Sequence, residues 1–474
     1  MNHSPKRYHL AYIAVEVFSS LKGLAGFYLL LFLLKANSTA GWVIWGRYAL
    51  LTGTAASILF ILSRWMFNRY ELGATSIVFQ EGMFVKKQKT VAWDRVHSHR
   101  SSTTFIHRWF GLTSLTLETG TGGENAEFDF PVITQTEKER ILSHIEVKKK
   151  VGEPVEQTKS DRIVRFRATK KDLMKASFTS LSFLAIFPLL SAIYFNLADF
   201  FSIEKSAENA WSYLLNHVWI LVILFIAAMI ISIVIGFVKT TIKYGNYVIS
   251  DDKDRIYIEK GVGNEISFSI AKDKVQAVKV EQTLVKRLFG LVSIKLISAG
   301  TSDGEEDISS LYPFMPKHDA YSMLHSILPH YHIREEMERF PVKVLWLKLI
   351  QPYYLTIASL IGLWFFNKER LWAAAIIFGF SVFLRVLDYY FTSYIRHGHT
   401  VQIRKGGWMN ETFVTHLHRI QQVTVKHNWL QRKFGVATIM FSNRADPAHE
   451  SLLYGVPKEE AGTFYEWYHR KAVS

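Results

Sequence analysis

One eleven-residue segment occurs three times in this chain, and it constrains the fold more than any other feature. It runs from His107 to Leu117 (HRWFGLTSLTL), from Lys286 to Leu296 (KRLFGLVSIKL) and from Gln431 to Phe441 (QRKFGVATIMF). The shared pattern is Arg-x-Phe-Gly-[Leu/Val]-x-[Ser/Thr]-[Leu/Ile]-x-[Leu/Phe]. Val96, Val275 and Ile420 each stand 14 residues before the motif Phe, and Gly82, Gly261 and Gly406 another 14 before that. Landmarks in ungapped register make this an internal repeat, which sets the architecture before any local reading begins.

Each copy follows apolar runs of membrane-spanning length, for which about 20 residues suffice. Six runs qualify: Leu10–Leu34, Trp42–Phe67, Phe178–Phe201, Leu214–Val238, Val344–Phe366 and Leu371–Thr392. They pair through short connections, and the long connections carry the repeats. The expected fold class is therefore membrane α-helical plus β: three transmembrane helical hairpins, each followed by a small β domain. The expected boundaries are hairpin 1 at 1–70, domain 1 at 71–150, a basic linker at 151–177 and hairpin 2 at 178–243. Domain 2 follows at 244–333, a linker with hairpin 3 at 334–392, and domain 3 at 393–474.

Charge gives the orientation. The short connections hold Lys35, Asp199, Glu204, Lys205, Glu208, Lys368, Glu369 and Arg370, which cancel, within a chain of formal net charge +15. Basic residues near span ends favour the cytoplasm. Both termini and all three β domains are accordingly expected in the cytoplasm, in a multi-pass protein of the cytoplasmic membrane. The first apolar run is too long for a cleavable signal and contains Glu16 and Lys22.

Within each copy apolar residues alternate with period two, as in Ile266-Ser-Phe268-Ser-Ile270 and Val423-Thr-Val425, which indicates antiparallel strands with one buried face. Gly82, Gly261 and Gly406 fall where a turn needs φ > 0. Just before the motif a helical turn is expected, from which Phe110, Phe289 and Phe434 plug the core. Gly111, Gly290 and Gly435 then let the chain bend into the next strand. Each copy ends in an amphipathic helix, the first starting with the capping pattern Thr134–Glu137 and the others after Pro316 and Pro457.

The Val275-Gln276 and Ile420-Gln421 pairs, the 14-residue gap and the Arg-x-Phe-Gly motif resemble the bacterial pleckstrin-homology-like (PH-like) domain of the second type. The whole arrangement resembles the YdbT-like membrane protein family of Gram-positive bacteria. The resemblance implies a bent β-barrel of about seven strands with a C-terminal helix. It also implies company: a smaller membrane protein with one such domain. Copy one departs from the pattern, with Val96-His97 where the others have Gln.

No residue set points to catalysis. Zero Cys excludes thiol chemistry and disulfides, and no nucleophile elbow, phosphate-binding loop or kinase set is present. The His-x-His pairs at His97, His330, His397 and His416 fall at non-equivalent repeat positions, so no metal or cofactor is expected. Arg108, Arg287 and Arg432 are the only cations identical in all copies. A guanidinium there serves either as an anion clamp or as an intradomain ion pair or cap. Lys272, Lys274, Lys279, Lys286 and Arg287 offer a positive face for anionic lipid. Nucleic acid is not expected, because no recognition helix or stacking platform accompanies the charge. Within the spans, Glu16, Arg385 and Asp388 lie near the cytoplasmic ends and are expected to snorkel, leaving Lys22 to need a partner at depth. The reading is a non-enzymatic membrane scaffold whose β domains engage a partner membrane protein, one another in a homo-oligomer, or membrane lipids. The alternative is a transporter or exporter, or an envelope-defence component, built on the six helices.

Overall fold

The computed structural model describes residues 5–83, 85–119, 127–147, 162–179, 218–298, 310–366, 368–445 and 448–473. The chain divides into two compact units. The first holds residues 1–120, 124–250 and 257–269, and the second 121–123, 251–256 and 270–474.

The first repeat begins before its hairpin, with the short strand β1 (Lys6–Arg7). Two apolar helices follow, α1 (Ala11–Tyr28), prolonged by a π-helical turn Leu29–Leu34, and α2 (Gly41–Phe67). Then come β2 (Arg69–Leu72), β3 (Ser76–Glu81), β4 (Lys87–Ala92), β5 (Val96–Thr103), the short helix α3 (Phe105–Trp109), β6 (Leu112–Thr119), β7 (Glu127–Thr134) and α4 (Gln135–Val147). The second repeat supplies β8 (Ile163–Arg167), α5 (Lys170–Thr179), α6 (Val218–Tyr244), β9 (Val248–Asp251), β10 (Arg255–Lys260), β11 (Glu265–Ala271), β12 (Val275–Thr283), α7 (Leu284–Leu288), β13 (Leu291–Ser298), β14 (Ser310–Pro316) and α8 (Lys317–Ile327). The third supplies β15 (Glu338–Arg339), α9 (Lys343–Ile350), α10 (Tyr354–Phe366), α11 (Trp372–Phe391), β16 (Ser393–His397), β17 (Thr400–Lys405), β18 (Met409–His416), β19 (Ile420–Lys426), α12 (Trp429–Phe434), β20 (Val436–Asn443), β21 (His449–Pro457) and α13 (Lys458–Val473).

Among the described residues four helical segments are long and apolar enough to cross a membrane: Ala11–Leu33, Gly41–Phe67, Lys343–Phe366 and Lys368–Phe391. Of the second pair, most of the expected span Phe178–Phe201 lies outside the described residues. The other expected span of that pair, Leu214–Val238, overlaps the 27-residue helix α6 (Val218–Tyr244).

The strand ahead of a hairpin pairs with the strand behind it. Lys6 faces Tyr70 and Arg7 faces Arg69 across hairpin 1, while Glu338 faces Tyr394 and Arg339 faces Ser393 across hairpin 3. β8 lies beside β9 in the same way. These strands are two to five residues long, too short for periodicity to reveal, and they pin both ends of a hairpin together.

In the first unit, β1 to β4 form one four-stranded sheet in sequence order. The chain then passes through a 3₁₀ turn, Trp93–Arg95, into β5. The other repeats use the same device, Lys272–Lys274 before β12 and Leu417–Arg419 before β19. Immediately after each turn the ladder shifts register, between Val96 and Ser98, between Val275 and Ala277, and between Ile420 and Gln422. The repeated [Val/Ile]-Gln position is thus a β-bulge, one extra residue that bends the strand. His97 occupies that bulge in copy one, so the backbone device survives the change of side chain.

The core of the first unit gathers Phe79, Leu115, Phe130, Val132 and Ile141, all at most 1% exposed. That of the second gathers Val401, Ile403, Ile439, Phe441 and Leu453. It also takes in Ala277 and Ile297 from the second repeat.

Candidate functional site

The motif turn differs from the expected plug. Phe110 is 59% exposed and Phe289 50% exposed; only Phe434 is half-buried against its core. The physical reason is the left-handed glycine that follows, with φ of 64°, 63° and 65° at Gly111, Gly290 and Gly435. It closes a helix of five or six residues whose inward side falls three positions before the Phe. His107, Lys286 and Gln431 stand there. His107 accepts or donates at Thr104 Oγ1, 2.8 Å away, Gln431 Nε2 donates to Thr438 Oγ1 at 2.7 Å, and Lys286 Nζ donates to Ser293 Oγ. In the second and third copies the motif Ser/Thr is therefore the anchor of the turn, a role that hydrophobic patterning does not reveal. Gly406 also departs from expectation: its φ is not in the left-handed region, and it is required because a Cβ there would collide with Phe391.

Each turn meets an apolar helix. Phe105 packs edge-on against Phe18 of α1, with ring centroids 5.8 Å apart. Arg287 lies over the Phe391 ring that ends α11, 4.1 Å from its centroid. The third turn, α12, packs against α9.

Consecutive repeats are spliced strand to strand. In the second unit β12 and β18 pair antiparallel over seven residues, from Ala277↔Thr415 to Thr283↔Met409, inside a sheet of order β14-β13-β12-β18-β17-β16-β15. The other seven-stranded sheet has the order β7-β6-β5-β11-β10-β9-β8, joining β5 of the first repeat to β11 of the second. The later strands of one barrel thereby extend the early strands of the next.

Charge and buried polarity lock these splices. Arg108 donates to Glu265 at 2.6 Å across the first. Across the second, Glu281 and Glu411 stand directly opposite, a pairing that would repel. Lys279 lies 3.1 Å from each, and Lys295 holds Glu281 at 3.0 Å. Burial alone would lower the Lys279 pKa, but the two carboxylates outweigh it and raise the value. Glu281 is held low: burial opposes its charge, and the Lys295 and Lys279 ammonium groups more than offset that. Beneath them, fully buried Asn443 donates to Thr415 Oγ1 at 2.7 Å, and Thr415 donates to the Gln276 carbonyl at 3.0 Å.

Four cations of the expected lipid face have partners within the chain. Lys279 is committed to two carboxylates, Lys272 to Asp251 at 2.6 Å, Lys274 to Asp273 at 3.3 Å and Lys286 to Ser293. Arg287, the fifth member of that face, instead lines a cavity with cations from outside it. A space of about 530 Å³ in the second unit is walled by Arg287, Lys317, Arg339 and Arg404, with Glu335 and Phe391. Lys317 pairs with Glu335 at 2.7 Å.

Two of the charges within the expected spans have partners in the same hairpin. Asp388 receives the buried Lys348 ammonium at 2.6 Å. Arg385 reaches across the hairpin to a gap between α9 and α10 at Gln351–Pro352. It donates to the carbonyls of Lys348 (2.9 Å), Gln351 (2.6 Å) and Pro352 (2.8 Å) and stacks over Tyr353 at 3.7 Å. Arg47, which the sequence reading passed over, does the same for hairpin 1, donating to Leu31, Lys35 and Ala36 carbonyls. Glu16 is half-buried on α1. Lys22 is exposed on α1 and has no partner among the described residues.

Histidines scattered in sequence converge in the second unit. His416 stacks on His418 with centroids 5.3 Å apart, and His399 and His330 lie 5.7 and 6.3 Å from His416. Burial, then these neighbours, lower the His416 pKa to about 4. Among the described residues no three His, Asp or Glu converge as metal ligands.

The bacterial PH domain model matches three times, over residues 20–149, 193–329 and 343–472. The chain is 22% identical over 494 residues to the UPF0699 transmembrane protein YdbT of Bacillus subtilis (strain 168), covering 99% of each chain. No solved structure matches. With three matches in register with its repeats and a relative aligned end to end, this chain belongs to the bacterial PH domain family and is a YdbT-like transmembrane protein.

Proposed function

We propose that the chain is a non-enzymatic membrane scaffold. Its PH-like repeats sit at the cytoplasmic face and assemble with a partner membrane protein, with one another or with anionic lipid. The observation that carries this reading is the strand splice between consecutive repeats. A main-chain ladder with charges matched across it is an assembly device, and it is already in use twice within the chain.

The strands that bracket each hairpin support three hairpins, six crossings and one common side. A strand on either side of the bilayer could not join one ladder, so β8 beside β9 supports an even number of crossings between them. The motif turns carry the exposed aromatic residues Trp109, Phe110 and Trp429, which fit the interfacial layer where such rings are favoured. The cavity beside Phe391 is lined by Arg287, Arg339 and Arg404 with the Lys317–Glu335 pair and Glu336, a net positive lining that suits an anionic headgroup.

Purification in mild detergent, with lipids and proteins quantified after size exclusion, tests the reading. A stoichiometric protein partner or retained anionic lipid is the expected result; a bare chain carrying neither sinks it. The transporter alternative draws on one observation, the interrupted span at Gln351–Pro352, because broken helices expose backbone carbonyls at substrate sites. Here Arg385 occupies those carbonyls, which favours the structural role. Ion flux through reconstituted vesicles, abolished by Asp388→Asn, would reverse that preference.

A further inference from the structure

The repeats use two kinds of strand edge, and each kind is left over once. β5, β12 and β19 are equivalent, each starting 14 residues after its repeat's glycine, as are β4, β11 and β18, each ending 10 residues after it. β12 takes β18, and β5 takes β11. Among the described residues β19 pairs with β20 alone, and β4 with β3 alone.

The leftover β19 edge carries the residues of a junction without the junction. Gln276 is 7% exposed where β18 covers β12, whereas its equivalent Gln421 is exposed. Five of nine β12 residues are buried but only two of seven in β19. Arg108 pairs with Glu265 and Arg287 lies over Phe391, yet Arg432 is exposed and enters no ion pair or ring contact among the described residues. Trp429 beside it is 76% exposed.

The occupant cannot be the β4 edge of a second copy. Laying the β12–β18 register on β19 and β4 places Lys426 at the Glu281 position and Lys87 at the Glu411 position, directly opposite. The same alignment sets Lys86 against His427. β4 contains Lys87 and Lys89 and no carboxylate, and lysines on an edge strand repel a further strand.

We infer that the β19 edge, with Lys426 and Arg432, is the docking strand for a separate protein that adds an antiparallel strand carrying carboxylates at the positions of Glu265 and Glu411. This deepens the assembly reading and rests on it. The partner strand forms the ladder that β18 forms with β12. One carboxylate faces Lys426, and the other reaches Arg432 as Glu265 reaches Arg108.

The chain's own strands supply the probe. A labelled peptide of residues 406–418 bearing Asn410→Glu retains Glu411 and gains the carboxylate of the Glu265 position. Added to the full-length chain in detergent, it is expected to bind saturably, and a photoreactive group on it should label residues 420–434. Peptide 82–94, the β4 equivalent, should bind at least about fivefold more weakly, as should the first peptide with Glu411→Lys. Lys426→Glu in the chain should restore binding of the Glu411→Lys peptide, which also shows that the variant is folded. Arg432→Glu should remove the advantage of Asn410→Glu.

Equal binding of both peptides, labelling away from β19, or indifference to charge reversal would overturn the inference. So would concentration-dependent head-to-tail oligomers in light scattering, which would assign the edge to a second copy. An Arg432→Glu chain that binds peptide normally but loses anionic vesicles would assign Arg432 to lipid instead. A partner recovered with the chain and retained by Lys426→Glu and Arg432→Glu would leave the assembly reading standing and remove this edge from it.

Discussion

Arg385 gives its guanidinium to carbonyls that Pro352 helps to strand, since a proline cannot continue the hydrogen-bonding of a helix interior. Arg385→Leu should leave them unsatisfied near hydrocarbon and cost on the order of 3 kcal/mol. A thermal melt in detergent unchanged from the parent would show that the break needs no cap. The motif Phe behaves oppositely. Phe289→Ala should change stability by less than about 1 kcal/mol, because the ring is half exposed, while Ile294→Ala, at a fully buried position, should cost about 2–5 kcal/mol. Equal losses from the two would restore the ring to the core. At His416 the depressed pKa means that the fold favours the neutral ring. The stability it contributes is present above the ordinary value near 6.5 and is lost as pH falls toward about 4. Denaturant midpoints should drop between pH 7 and 5 and drop less in His416→Gln; identical pH slopes would discharge His416 from that role. Sequence singled out Arg385, Asp388 and the motif Arg as unusual. It gave Arg385 and Asp388 no partners, because Lys348 and the Gln351 carbonyl become neighbours only when the hairpin closes.

Elements were legible in proportion to their length. Spans and alternating strands stood out, whereas β1 and β15, two residues each, left no pattern to read. The bulge after each 3₁₀ turn was visible only as a recurring Val-Gln pair whose meaning is a ladder shift. The splices were illegible for a different reason: an edge strand's partner is a matter of tertiary placement, and alternation looks the same whether the neighbour is one's own barrel or the next. Their charges give the test at this scale. Lys279→Glu would set a third carboxylate beside Glu281 and Glu411, so the β12–β18 splice should loosen and new protease cleavage should appear between 275 and 283. Resistance equal to the parent would mean that the backbone ladder alone holds the junction.

On the scale of the whole molecule, the bracketing strands give the proposed topology its physical basis. Reporters fused after Lys253 and Lys471 should both read cytoplasm, and tags at Ser38 and Glu369 should read the outside; one reporter on the opposite side would break the bracket. The splices also change what counts as a domain. The second repeat sends most of β9 to β11 into the first unit and β12 to β14 into the second, so its halves serve different neighbours. A fragment covering that repeat alone would present two raw edges.

The same splice imposes a waiting time on the ribosome. Ser102 in β5 meets Asn264 beside β11 across 162 residues of chain. At about 5–20 residues per second, the β5 edge stays open for roughly 8–30 seconds of synthesis, while the second apolar pair is still being made. During that interval the nascent protein is a sticky, half-closed sheet at the membrane surface. Quality-control factors have their best access to it then, and slow codons between 135 and 262 should raise its losses to aggregation and proteolysis more than the same codons placed after 416.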